Sequence, residues 1–188
     1  MKSMFEVVFH GRGGQGAKSA AQMLAETAAE NGKYVQAFPE FGPERRGAPV
    51  KAFTRISDKP IITHQPVTNP DASVVLDESL LGAVDVTSGL DSGVLVINTS
   101  RPRDEIRKRT GFSGKIFTVN ASQIAIELIG RDITNTPMLG ALAKATGIVT
   151  VDEMAKRVEE TFLKKIGEKA TKANIDMVRK AYEECDYK

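Results

Sequence analysis

Phe5-Glu6-Val7-Val8-Phe9-His10-Gly11-Arg12-Gly13-Gly14-Gln15-Gly16-Ala17 is the stretch whose reading decides the fold. Phe5 to Phe9 is short and dense in β-branched and aromatic residues, as a buried strand is. From Ala17 to Asn31 the residues Ala17, Ala20, Ala21, Leu24 and Ala28 recur at helical spacing, and Gly32 stands where a C′ glycine ends a helix. Four glycines between a strand and a helix describe a backbone that turns sharply and admits close approach. The first N–H groups of such a helix have no partner inside it, so they face the gap and favour negative charge there. Gly11, Gly13 and Gly16 have the spacing G-x-G-x-x-G.

Outward from this unit the chain alternates strand and helix. Tyr34 to Phe38 predicts a second strand. Pro39 to Pro49 holds three prolines and two glycines in eleven positions, which excludes regular structure. Val50 to Ser57 alternates, with Val50, Ala52, Thr54 and Ile56 on one side and Lys51, Phe53, Arg55 and Ser57 on the other. That pattern predicts a strand with one wetter face at an edge of the sheet. Val74-Val75-Leu76, Val94-Leu95-Val96-Ile97 and Ile116-Phe117-Thr118-Val119 are unalternating apolar runs, the mark of parallel strands covered on both faces. Asn120 with Gln123, and Thr150 with Glu153, are capping-box pairs, and Thr136-Pro137 opens another helix with proline at the first helical position. Lys169 to Cys185 is a closing amphipathic helix. The expected architecture is one α/β domain over residues 1–188. It is Rossmann-like and three-layered, with a mainly parallel sheet flanked by helices on both faces, an edge antiparallel strand and C-terminal helices.

Composition narrows the function. Hydrophobic residues make up 41% and charged residues 27% of 188, with a net charge of +2, so nothing points to nucleic acid. No run approaches the roughly 18 apolar residues of a membrane span, and Met1-Lys2-Ser3 leads straight into a strand, which predicts a cytoplasmic protein. Cys185 is the only cysteine, whereas an iron–sulfur cluster takes about four thiolates. His10 and His64 lie far apart, which argues against a structural zinc site. His10 reads as a satisfied strand-end histidine, and Cys185 as a small apolar contact.

A dinucleotide site would place an acid about 20 residues beyond the glycines, at the end of the second strand. Here that strand ends Val35-Gln36-Ala37-Phe38, and the nearest acid, Glu40, lies beyond a proline. A free-standing NAD(P)-binding oxidoreductase is therefore a rival reading, and a purely structural adaptor is another. Asp77 and Glu78 end an inner strand, where open α/β sheets bind ligands, although helix capping accounts for Asp77 equally well.

Three segments carry a resemblance to a known family: His10 to Lys18, Phe41-Gly42-Pro43-Glu44-Arg45-Arg46-Gly47-Ala48-Pro49, and Asn135-Thr136-Pro137-Met138-Leu139-Gly140-Ala141. Together they resemble the gamma subunits of pyruvate:ferredoxin oxidoreductases (pyruvate synthases), within the 2-oxoacid:ferredoxin oxidoreductase family. The similarity runs end to end and includes Asn174 to Glu184; Ala48 departs from a glycine common in the wider family. The resemblance implies a complex of alpha, beta, gamma and delta subunits. It converts pyruvate, coenzyme A and oxidised ferredoxin to acetyl-CoA, carbon dioxide and reduced ferredoxin. Thiamine diphosphate, magnesium and iron–sulfur clusters would sit on the other subunits, so this chain would be inactive alone. A branched-chain 2-oxoacid (2-oxoisovalerate) enzyme is the alternative within the family.

On this reading Gly11, Arg12, Gly13, Gly14, Gln15 and Gly16 form the cofactor-binding loop, with Arg12 and Gln15 facing a shared channel and helping to seat coenzyme A. An equal alternative has them only docking the subunit. A helix N-terminus contributes up to ~2 kcal/mol and one charge-assisted contact ~1.5–3 kcal/mol, which together mean millimolar binding or weaker. Glu44, Arg45 and Arg46 are expected at a subunit interface, as a charged peg on a loop stiffened by prolines. No catalytic residue and no metal ligand is assigned to the chain.

Overall fold

The computed structural model describes residues 4–40 and 46–187. In chain order the elements are β1 (Met4–Arg12), α1 (Ala17–Glu30), β2 (Tyr34–Pro39), β3 (Pro49–Ser57), β4 (Ala72–Val75) and a 3-10 turn (Glu78–Leu80). There follow β5 (Val94–Asn98), α2 (Arg103–Thr110), β6 (Lys115–Val119), α3 (Ala121–Ile129), α4 (Asn135–Thr146), α5 (Val151–Ile166) and α6 (Glu168–Glu184). The six strands form one sheet in the order β2-β3-β1-β4-β5-β6. β1, β4, β5 and β6 run parallel, and β3 is antiparallel to both β1 and β2. This is the expected α/β architecture.

Two apolar layers cover the sheet. Val7, Phe9, Val74 and Val96 face α1 and the C-terminal helices, where Leu24, Met138, Leu142 and Met177 close the larger core. On the opposite face Val75, Leu95, Ile97 and Ile116 meet Leu80, Leu90 and Ile106. The alternation along each strand divides its side chains between these layers. α4 and α6 lie so close that a Cβ on Gly140 would stand 2.0 Å from the Val178 carbonyl oxygen, so only glycine fits there. Among the described residues no helix is long and apolar enough to cross a membrane.

Three sequence readings need correction. β3 lies one place in from the edge, which β2 occupies. Its polar side is not wet, because Arg55 is 2% exposed and donates from Nε to Glu6 Oε1 at 2.9 Å. α4 begins with Thr134 as N-cap, so Pro137 is its third residue rather than its first. Asn120 accepts from the Gln123 N–H, but the Gln123 side chain turns to Glu127, leaving half of that capping box unmade. The box at Thr150 and Glu153 is complete. α2 goes unannounced in the sequence because Ile106 is its only buried residue, and one apolar position makes no stripe.

Candidate functional site

β1 extends into the glycines. His10, Gly11 and Arg12 still pair with Lys51, Val50 and Pro49 of β3, so the loop proper is only Gly13 to Gly16. Gly14 (φ 96°) and Gly16 (φ 81°) occupy the left-handed region, where a side chain is strained. Gly13 forms a bridge with Arg46, donates its N–H to the Ala48 carbonyl and accepts from the Gly47 N–H. The backbone of 46–48 therefore braces the loop. Gly16 is the N-cap of α1 and has no side chain with which to satisfy the free N–H groups of the first turn.

Arg12 and Gln15 are held inside the chain. Gln15 Oε1 accepts from the Arg12 N–H at 2.7 Å, and its Nε2 donates to Asp77 Oδ2 at 2.8 Å. The Arg12 guanidinium donates to Ser79 Oγ at 2.9 Å and to the Gly47 carbonyl at 3.0 Å, with Asp77 Oδ2 3.4 Å from Nε. Asp77 also caps the 3-10 turn by accepting from the Ser79 N–H. Partial burial works against its charge. Hydrogen bonds from Ser79 and Gln15, with Arg12 alongside, outweigh that and hold the carboxyl below its ordinary range. The sequence left Asp77 without a partner; the structure makes it the post to which the loop is tied.

The space beyond the loop is a cleft of about 500 Å³ at the C-terminal ends of β1, β4, β5 and β6. Open α/β sheets bind ligands at this position. Gly16, Asn120 and Thr134 all line it, so the N-termini of α1, α3 and α4 converge on one space. The Asn120 side chain already caps α3, whereas neither Gly16 nor Thr134 caps its helix with a side chain. Asn98 fixes the floor, donating to the Leu76 carbonyl at 2.9 Å and accepting from the Ser122 N–H at 3.1 Å. Asn135 is 9% exposed, its Nδ2 sits 2.7 Å from where a Cβ on Gly16 would be, and its Oδ1 has no hydrogen-bond partner. Glu78 is answered by Thr99 and Arg101, which limits the negative charge at the rim. A polar cleft fed by helix N-termini suits an anionic group whose remaining atoms donate to a buried amide oxygen.

Of the residues expected to form a cofactor-binding loop, Gly14, Gln15 and Gly16 line this cleft, and Gly11, Arg12 and Gly13 do not. Gly11 points its α-carbon at Leu76 and Ala17, and so serves strand–helix packing. Asn98, Ser122 and Asn135 were not singled out from the sequence as site residues. For Asn135 a signal existed in the Asn-Thr-Pro run that opens α4. Arg46 is exposed, while Glu44 and Arg45 lie outside the described residues. His10 is buried, yet its Nδ1 has no partner, so it is not the satisfied histidine expected. Cys185 is buried, with Sγ 3.8 Å from the Ala141 carbonyl, and burial pushes its thiol up to about 12, which makes it a poor metal ligand.

Comparison with known proteins gives a consistent result. The family model described as pyruvate ferredoxin/flavodoxin oxidoreductase matches residues 6–184. Pyruvate synthase subunit PorC of Thermotoga maritima is 52% identical over 183 residues, covering 97% of this chain and 95% of that relative. The pyruvate/ketoisovalerate oxidoreductases common subunit gamma of Thermococcus kodakarensis is 54% identical over 172 residues, covering 90% and 93%. A crystal structure of pyruvate oxidoreductase subunit PORC from Thermotoga maritima aligns with a TM-score of 0.88 and 49% identity, covering 98% of each chain.

Proposed function

The chain belongs to the pyruvate ferredoxin/flavodoxin oxidoreductase family, and on that premise we propose that it is the gamma subunit of a cytoplasmic pyruvate synthase. The complex converts pyruvate, coenzyme A and oxidised ferredoxin to acetyl-CoA, carbon dioxide and reduced ferredoxin. Carbanion chemistry on thiamine diphosphate and electron transfer through iron–sulfur clusters belong to the alpha, beta and delta subunits. This chain offers one cysteine, and among the described residues no group of three or more His, Cys, Asp or Glu is placed to hold a metal. Its 188 residues act as one domain. Relatives named as a common subunit of pyruvate and ketoisovalerate oxidoreductases favour a second reading, in which the same chain also serves a branched-chain enzyme.

The contribution of this chain is to seat a phosphate-bearing part of coenzyme A in the cleft beside Gly14 to Gly16. The observation that carries this is the convergence of the N-termini of α1, α3 and α4 on that cleft, next to the unpartnered Asn135 Oδ1. Arg12 and Gln15 act indirectly: tied to Asp77, they hold the loop in shape rather than reach for the ligand. Each partly buried helix terminus contributes up to ~2 kcal/mol, so the subunit orients coenzyme A and leaves most of its affinity to neighbouring chains.

In the assembled complex, Asn135→Asp keeps the shape of the side chain and places a carboxylate against the anion. The apparent KM for coenzyme A is expected to rise about tenfold, near 1.4 kcal/mol. Pyruvate-dependent carbon dioxide exchange without coenzyme A should be unchanged. An unaltered KM for coenzyme A would overturn the reading.

The segment Glu44, Arg45 and Arg46 is proposed as the docking peg on a partner subunit, since the backbone of residues 46–48 next to it braces the glycine loop and couples docking to the site. Arg46→Glu is expected to weaken assembly of the complex at least tenfold in sedimentation at dilute protein, by like-charge repulsion at the junction. Assembly as tight as in the unaltered complex would place the junction elsewhere.

A further inference from the structure

The other face of β1, β3 and β2 carries a separate cleft of about 840 Å³, whose lining comes from strands and loops and shares no residue with the cleft beside the glycine loop. The volume is that of a small-molecule pocket, mostly apolar with a few polar groups. Val8 and Phe53 contribute apolar floor, and Phe38 packs on Phe53 with ring centroids 5.4 Å apart at 34°. One wall is the segment containing Pro66 and Val67, and it is anchored. Arg55 donates to the Gln65 carbonyl, and Gln36 Nε2 donates to the Thr63 carbonyl at 3.2 Å.

His10 stands in this lining, 3% exposed, with Nδ1 buried and without a hydrogen-bond partner. An unmet buried polar atom carries a desolvation cost, which a ligand group placed against it would recover. The charged groups around His10 are mixed in sign. Lys51 is its register partner in β3, Asp85 acts on it from the loop after the 3-10 turn, and Glu40 lies 3.8 Å from Lys51. An anion would meet Asp85 and Glu40, and a cation would meet Lys51. An uncharged edge carrying both donors and acceptors suits an imidazole, an ammonium and a carboxylate together. Phenylalanine rings beneath it favour a flat body.

We propose that this cleft binds a planar nitrogen heterocycle, free or as the base of a nucleotide, with its ring against Phe53 and its hydrogen-bonding edge at His10. The site is independent of the seat proposed for coenzyme A, so either assignment can fail alone.

The test uses the full-length chain with adenine and AMP as probes, read by saturation-transfer NMR and by the ring-nitrogen resonances of His10. Saturable binding that moves the His10 Nδ1 resonance is expected. His10→Phe, or Phe53→Leu should the first variant fold poorly, should weaken it at least tenfold. Asn135→Asp in the other cleft should leave it unchanged. AMP binding at least tenfold tighter than adenine assigns a nucleotide-borne base, and equal affinities assign the free base. The proposal is overturned if neither probe binds, or if binding survives loss of His10 or Phe53. It is equally overturned if assembly of the complex protects residues 36–40 and 51–55 from hydrogen exchange and excludes adenine, since the cleft is then a protein interface.

Discussion

Arg55→Met is expected to destabilise the chain by about 3–5 kcal/mol, the penalty for removing one partner of a buried ion pair. Glu6, Arg55 and Gln36 are register partners on β1, β3 and β2, so their side chains lie in a row across three strands. The guanidinium donates to Glu6 Oε1 at 2.9 Å and to Gln36 Oε1 at 3.2 Å, donates again to the Gln65 carbonyl, and lies over the Phe38 ring with Cζ 5.1 Å from its centroid. Methionine fills much of the volume but meets none of these acceptors, and Glu6, 7% exposed, loses the Arg55 guanidinium. The wall made by residues 61–65 should loosen at the same time, because Arg55 and Gln36 hold its carbonyls. Urea unfolding measures the first effect, and amide exchange across 61–65 measures the second. Glu6→Leu combined with Arg55→Met should recover much of the loss, because replacing both ions with apolar groups removes the stranded charge. A single variant within 1 kcal/mol of the parent would show that the pair contributes little.

The same row explains where the sequence misled. Lys51, Arg55 and Ser57 alternate with apolar residues and read as a solvated face, since period-2 patterning reports polarity and not what meets it. The groups that take Arg55 out of water come from Glu6, 49 residues earlier, and from Gln36 on a third strand. No local pattern announces them. Elements marked by local chemistry were legible. Gly32 ends α1 with a φ of 75°, and Thr150 and Glu153 exchange their hydrogen bonds at the start of α5. The glycine loop was legible as a turn between β1 and α1, and Gly14 to Gly16 do line a cleft. Its internal wiring was not, because Asp77 and Ser79 lie 62 and 67 residues from the side chains they hold. The convergence of three helix N-termini is likewise a product of strand order, which only the assembled sheet reveals.

Acidification through His10 is the second large effect. Desolvation, with Lys51 adding to it and Asp85 opposing, lowers the His10 pKa from 6.5 to about 4 in the folded chain. Between these values the unfolded chain binds more protons than the folded one, so stability must fall as the pH drops. The slope approaches about 1.4 kcal/mol per pH unit, and the full crossing removes about 3 kcal/mol. Above the unfolded value the imidazole is neutral in both states and contributes no slope; below about pH 4 its contribution levels off. Carboxylates held below their ordinary range, such as Asp77 and Glu153, lose their contribution at the acid end of this window and beyond it, so the upper part belongs to His10. His10→Phe should therefore flatten unfolding free energies between pH 6.5 and 5 while leaving the steeper acid limb in place. If both proteins lose stability in parallel there, His10 is reached by water in the folded state. A ligand that hydrogen-bonds only the neutral ring would then weaken as the pH falls from 6.5 to 5, whereas a pKa near 4 keeps the ring neutral and that affinity level, so the two measurements test one property from opposite sides.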